Sequence, residues 1–162
     1  MRRWVTCLLC MAAALQGAAA VPFRVALEDG SGWAAPGAFA GHPAVFLFWD
    51  SECAPCLKEL AQSASLQAAF PQAVFVAVGL SGRDATRRVL GKIRLDADVK
   101  RAIGPENPGG LLATLGDPTG GLPFTAIFSG NGSPCLHRLG SLTTEVLAQA
   151  ASRCTAGSAG QP

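Results

Sequence analysis

Ala44-Val45-Phe46-Leu47-Phe48-Trp49 and, four residues on, Cys53-Ala54-Pro55-Cys56 decide the reading of this chain. The first run is apolar at every position, the pattern of a strand covered on both faces. After the two cysteines, Leu57, Leu60, Ala61, Ala64 and Ala68 recur at near-helical spacing, and Pro71 ends the pattern. Lys58, Glu59 and Gln62 are interleaved, and the reading places Lys58 and Glu59 on the solvent side of a helix over 55–70. A second apolar run, Ala73-Val74-Phe75-Val76-Ala77-Val78, follows at once. Strand, helix, strand predicts a βαβ unit whose two strands are parallel. The cysteines therefore fall at a strand-to-helix junction. There the first sulfur meets the unpaired N–H groups and positive end of the helix, which favour a thiolate. The second lies about one turn in, within reach of a mixed disulfide formed on the first. Together they read as a redox switch.

The 162 residues, 49% hydrophobic and 15% charged, fit one globular domain. Residues 1–20 read as a secretory signal. Arg2 and Arg3 form a basic start, 4–15 an apolar stretch, and Ala18-Ala19-Ala20 a small-residue cleavage site. An uncleaved membrane anchor is the alternative, opposed by the short apolar stretch, since a span needs about 20 apolar residues. Cleavage removes Cys7 and Cys10 and leaves Cys53, Cys56, Cys135 and Cys154, an even number suited to an oxidising compartment. Loss of Arg2 and Arg3 leaves 11 basic against 11 acidic residues, with no basic excess to suggest nucleic acid or an anionic membrane as a partner.

Elsewhere the chain predicts a short strand at 23–27, a turn at 28–32 and a loop at 33–43 with at most one helical turn. Residues 84–90 read as a helix, 96–103 as another short one, 104–110 as a loop and 111–115 as one more helical turn. Strands at 122–128 and 135–139, joined by the glycine-rich 129–133, predict an antiparallel hairpin. Ser141 is placed as the cap of a last helix whose buried stripe is Leu142, Val146, Leu147 and Ala150. Such a helix, packed back on the sheet, could join Cys135 to Cys154 as a structural disulfide, the alternative being two isolated thiols. The domain so read spans 21–162, with a small, polar, proline-ended tail at 155–162 expected to be disordered.

With these pieces in place the chain resembles the thioredoxin superfamily, and within it the secreted or periplasmic branch that includes TlpA, ResA and the reductases of cytochrome c maturation. The resemblance rests on Phe48-Trp49-Asp50-Ser51-Glu52-Cys53-Ala54-Pro55-Cys56 and on Gly121-Leu122-Pro123-Phe124-Thr125. It extends from about residue 23 to 154, with 81–120 similar in layout alone. It implies an α/β thioredoxin-like fold: a central mixed sheet flanked by helices on both faces. It also implies that Cys53 is the exposed nucleophile and Cys56 the resolving thiol. Pro123 matches the superfamily's cis-proline, with the backbone of Leu122 free to pair with substrate. Trp49 matches a wall beside the site, its other reading being plain core. The acid that many thioredoxins carry in the central strand is Leu47 here, so no proton acceptor for Cys56 is assigned. ResA-like proteins use a glutamate from elsewhere, and no motif in 81–120 identifies one.

The expected activity is extracytoplasmic thiol:disulfide exchange, in the direction of reducing protein disulfides, in cytochrome c maturation or a related pathway. The expected partners are protein thiols and disulfides and a membrane thiol transporter as electron donor. No prosthetic group and no metal are expected, and the protein is read as a monomer. Two other readings stay open: a dithiol oxidase of the same fold, and a copper-handling module using Cys53 and Cys56 as soft ligands. Structural zinc is disfavoured, because Cys135 and Cys154 are too far apart to supply a second close pair. His137 reads as a hairpin surface residue, and His42 as a loop residue with less claim still.

Overall fold

The computed structural model of the chain describes residues 23–156. The signal segment and most of the tail lie outside that range. In chain order the elements are β1 (Val25–Leu27), β2 (Trp33–Ala34), β3 (Ala44–Trp49), α1 (Ala54–Ala61), α2 (Ser63–Ala69) and β4 (Val74–Gly79). There follow α3 (Arg83–Leu90), β5 (Lys100–Ile103), α4 (Pro108–Thr114), β6 (Phe124–Phe128), β7 (Pro134–Leu139) and α5 (Thr144–Ala156). The strands form one sheet in the order β2-β1-β5-β4-β3-β6-β7. β3 is parallel to β4 and β4 to β5, whereas β6 runs antiparallel to β3 and to β7. The mixed sheet is thioredoxin-like.

Strand alternation divides the core. Val45, Leu47 and Trp49 point with Phe75, Ala77 and Ile127 to one face, where Leu60, Leu66, Leu90 and Leu147 of the helices cover them. Phe46 and Phe48 point with Val76, Val78, Phe124 and Phe128 to the other, under Leu112 of α4 and Leu115. Phe23 closes that second face, its ring edge-on to Phe46 with centroids 4.9 Å apart. All six residues of β3 are buried, as an apolar run without alternation requires.

Several expectations need correction. The helix over 55–70 is two helices. The chain breaks step at Gln62 (φ −95°, ψ 9°), and the buried Ser63 Oγ accepts the N–H of Asp96 at 3.0 Å. A contact 33 residues away thus shapes the break. Residues 96–103 hold no helix. β5 pairs there with β4, Val76 to Lys100 through Gly79 to Ile103, and Ala102 is fully buried. Residues 33–43 contribute the two-residue β2 on the sheet edge. α4 begins inside the expected loop, with Pro108 in its first turn and Asn107 accepting from the N–H of Gly110 at 3.1 Å. At α5 the side-chain acceptor is Thr143, not Ser141; its Oγ1 takes the N–H of Val146 at 3.4 Å. That helix runs through 156, into the segment read as tail. Its buried stripe is Leu147, Ala150 and Cys154, with Leu142 buried just ahead of it.

The β6–β7 hairpin is tied by the N–H of Ser129 to the carbonyl of Ser133 at 2.9 Å. Gly130 in this turn leaves no room for a side chain, because a Cβ would fall onto the backbone carbonyl of Gly41. Beyond the turn, Cys135 and Cys154 are bridged, with Cα atoms 5.6 Å apart, joining β7 to α5.

Candidate active site at the head of the first helix

β3 delivers the chain to the top of the sheet at Trp49, and α1 starts five residues later. Cys53 is the N-cap of α1, with extended backbone (φ −87°, ψ 90°), and its Sγ accepts the N–H of Cys56 at 3.3 Å. Pro55 in the first turn has no N–H to offer and presets φ for the helix. Cys53 is half-buried, while Cys56, one turn deeper, is 1% exposed. The two form a disulfide with Cα atoms 5.2 Å apart. The two sulfurs therefore differ in exposure: the outer residue is partly open to solvent, and the inner one is fully covered.

Leu122 and Pro123 enter β6 through a cis peptide bond, Leu122 half-buried and Pro123 buried. β6 pairs Phe124 with Phe48, so the same register carries Pro123 level with Trp49, at the end of β3 that leads to Cys53. The carbonyl of Pro123 accepts the N–H of Gly140 at 2.8 Å. Leu122 and Cys53 both pack against the cluster that contains Cys56. Trp49 is 1% exposed and belongs to that cluster. In this disulfide state it underlies the site as core and has no face open to a substrate.

Glu59 corrects the sequence reading outright. It is 4% exposed, not on the solvent side, and its Oε2 accepts the N–H of Leu142 at 2.8 Å. Burial pushes its carboxyl up to about 7, with the Leu142 N–H and the positive charge of Arg138 pulling the other way. The residue was findable. Cys56, Glu59, Leu60 and Ser63 follow i, i+3, i+4, i+7 and are the buried residues of this stretch. A stripe that starts at Leu57 rather than Cys56 turns that face outward. An acid that changes state near neutrality thus sits one helical turn from Cys56, on the same buried face.

His137 is exposed on β7, its ring stacked on Phe124 at 6.5 Å, away from the dithiol face of the sheet. His42 binds the carbonyl of Gln72 through Nδ1 at 3.1 Å, and neither histidine joins the site.

Neither a protein-family model nor a curated protein sequence matches the chain. Solved structures do. A secreted disulfide oxidoreductase of Mycobacterium tuberculosis, described as homologous to E. coli DsbE, shares 18% identity at a TM-score of 0.59 over 82% of this chain and 96% of its own. StoA from Bacillus subtilis shares 20% at 0.61, over 83% and 98%. An exposed lipoprotein thioredoxin of Streptococcus pneumoniae shares 22% at 0.63, over 80% and 97%. At these identities the likeness establishes the thioredoxin-like fold.

Proposed function

We propose that this protein is an extracytoplasmic thiol:disulfide oxidoreductase that reduces protein disulfides through Cys53 and Cys56. The observation that carries this is the pair itself: a half-exposed sulfur capping a helix, and a buried one bonded to it a turn below. The reduced protein starts with Cys53 as thiolate, supported by the Cys56 N–H and the helix end. It attacks one sulfur of a client disulfide; an S–S bond to the client forms, the client's own S–S bond breaks, and the other client sulfur leaves as thiolate. Cys56 then gives up its proton and attacks Cys53 Sγ. The Cys53–Cys56 bond forms and the second client sulfur departs. Two electrons pass to the client, and a dithiol donor must return two for another cycle.

Glu59 is the group we assign to take the proton of Cys56. Its carboxyl, pushed up to about 7, exists in both forms near neutral pH, which suits a proton acceptor for a buried thiol. The backbone of Leu122 beside Pro123 offers the client an extended edge to pair with, as the resemblance implies. The secreted and surface-exposed character stated for the neighbours supports an extracytoplasmic setting, as does the leader pattern of 1–20. Among the described residues no helix is long and apolar enough to cross a membrane. On this reading the donor is a membrane thiol transporter, the clients belong to cytochrome c maturation or a related pathway, and the protein acts as a monomer with no prosthetic group.

The test is client trapping. Cys56→Ser should accumulate as a mixed disulfide on Cys53, and Cys53→Ser should neither trap nor reduce. If Cys56 proves the faster thiol to be alkylated in the reduced protein, the roles are misassigned.

A further inference from the structure

The turn between Trp49 and Cys53 is held by one acidic side chain and one hydroxyl. The backbone N–H of Glu52 donates to Asp50 Oδ1 at 2.9 Å, and Ser81 Oγ donates to Asp50 Oδ2 at 2.8 Å. The same Ser81 Oγ accepts the N–H of Ser51 at 2.6 Å, and the main-chain oxygen of Asp50 accepts the N–H of Cys53 at 3.2 Å. Ser81 stands on the segment between β4 and α3, and the N–H of its neighbour Leu80 donates to the carbonyl of Trp49 at 2.8 Å. A residue 31 positions away thus clamps the approach to the dithiol.

Two chemical consequences follow. First, the N–H groups of Ser51, Glu52 and Cys53 are all occupied within the clamp, and Pro55 has none. The donors that could gather around a Cys53 thiolate are correspondingly few, the N–H of Cys56 being the one already on its sulfur. Second, the clamp fixes a carboxylate three residues ahead of the nucleophile, half-buried, where it opposes a second negative charge. Glu52, nearer in sequence, is exposed, so solvent screens its charge more strongly.

We propose that Asp50, anchored by Ser81, is a positioning residue that sets the redox poise of the Cys53–Cys56 pair toward donating electrons. The inference rests on the reading of that pair as an exchanging dithiol and adds what biases its direction. A thiolate opposed by a fixed charge and short of donors is a less stabilised thiolate. The reduced form is then less favoured relative to the disulfide, and the potential falls.

The experiment equilibrates the purified protein with reduced and oxidised glutathione and measures the fraction of dithiol. The reaction is one protein disulfide plus two glutathione thiols giving one protein dithiol plus one glutathione disulfide. The Cys53 pKa is read in parallel from the pH dependence of its alkylation. Asp50→Asn keeps the acceptor for the Glu52 N–H and removes the charge. It should shift the equilibrium toward dithiol by roughly three- to tenfold, roughly 15 to 30 mV, with the Cys53 pKa lowered. Ser81→Ala should shift it the same way by a smaller factor, Ser81→Thr should restore it, and Glu52→Gln should change it by less than about twofold. An Asp50→Asn protein with unchanged equilibrium and pKa, or one shifted toward disulfide, overturns the proposal. A Ser81→Ala protein identical to wild type overturns the role of the anchor. If the wild-type disulfide fails to equilibrate with glutathione at all, it is the exchange reading that falls, an outcome distinct from these.

Discussion

Replacing Glu59 by glutamine should remove a pH dependence of folding stability that burial has built into the first helix. The free carboxyl value is 4.5, and in the folded protein it is about 7. Between those limits the folded protein keeps a proton that the unfolded chain has released. Stability therefore falls as pH rises, with a slope of up to about 1.4 kcal/mol per pH unit. Across the whole window the loss amounts to about 3 kcal/mol. Below pH 4.5 both states are protonated and the contribution is fully present; above about 7 both are ionised and it is gone. Glutamine has nearly the same shape and keeps an oxygen for the Leu142 N–H, so the variant should match wild type at about pH 4 and below and exceed it by about 3 kcal/mol at pH 8.5. The assay is urea unfolding of the oxidised protein at pH values spanning that window. With Cys53–Cys56 and Cys135–Cys154 closed, none of these four thiols titrates. The difference between variant and wild type also cancels every group the two proteins share. Stability curves that run parallel from pH 5 to 8.5 would refute the reasoning, because they would mean that Glu59 ionises as freely in the fold as in water.

Two further outcomes test the packing around the site. Opening the Cys135–Cys154 bridge by replacing both residues with serine should cost about 3 kcal/mol, since it releases a loop with a sequence separation of 19 from the unfolded chain's constraint; unfolding at constant pH measures it, and an unchanged midpoint removes the bridge from the stability account. Gly130→Ala should lower stability by about 2 kcal/mol or more, because the new methyl must displace the backbone carbonyl of Gly41; a thermal midpoint within a degree of wild type would show that the two loops part freely.

The legible parts of the site share a physical reason. Cys53 and Cys56 are recognisable because their neighbours announce a buried strand before them and a helix after them. Leu122-Pro123 is recognisable because a proline at the mouth of a strand restricts where the chain can go. The sequence reading of Glu59 fails for a local reason: on a helix of eight residues two registers of the apolar stripe compete, and only the contact with Leu142 decides between them. Residues 96–103 failed for a different one. Asp96, Asp98, Lys100 and Arg101 carry a polar pattern that fits a helix as well as a strand, and the strand wins because the edge of β4 offers unpaired backbone groups to it.

The amino-acid sequence by itself determined the βαβ unit, the closing hairpin and the position of the dithiol at a helix start, since these rest on apolar periodicity and on turn residues acting over short spans. Tertiary structure alone decided what surrounds the sulfurs. The clamp from Ser81 to Asp50, the N–H that Leu142 lends to Glu59 and the bond from Asp96 to Ser63 join residues 31, 83 and 33 positions apart. No local pattern encodes such pairs. They exist because the parallel strands β3 and β4 end side by side and because the segment leading into α5 returns to α1 while α5 itself packs on α2. The charge and burial that tune the dithiol are therefore properties of the assembled sheet and its helices.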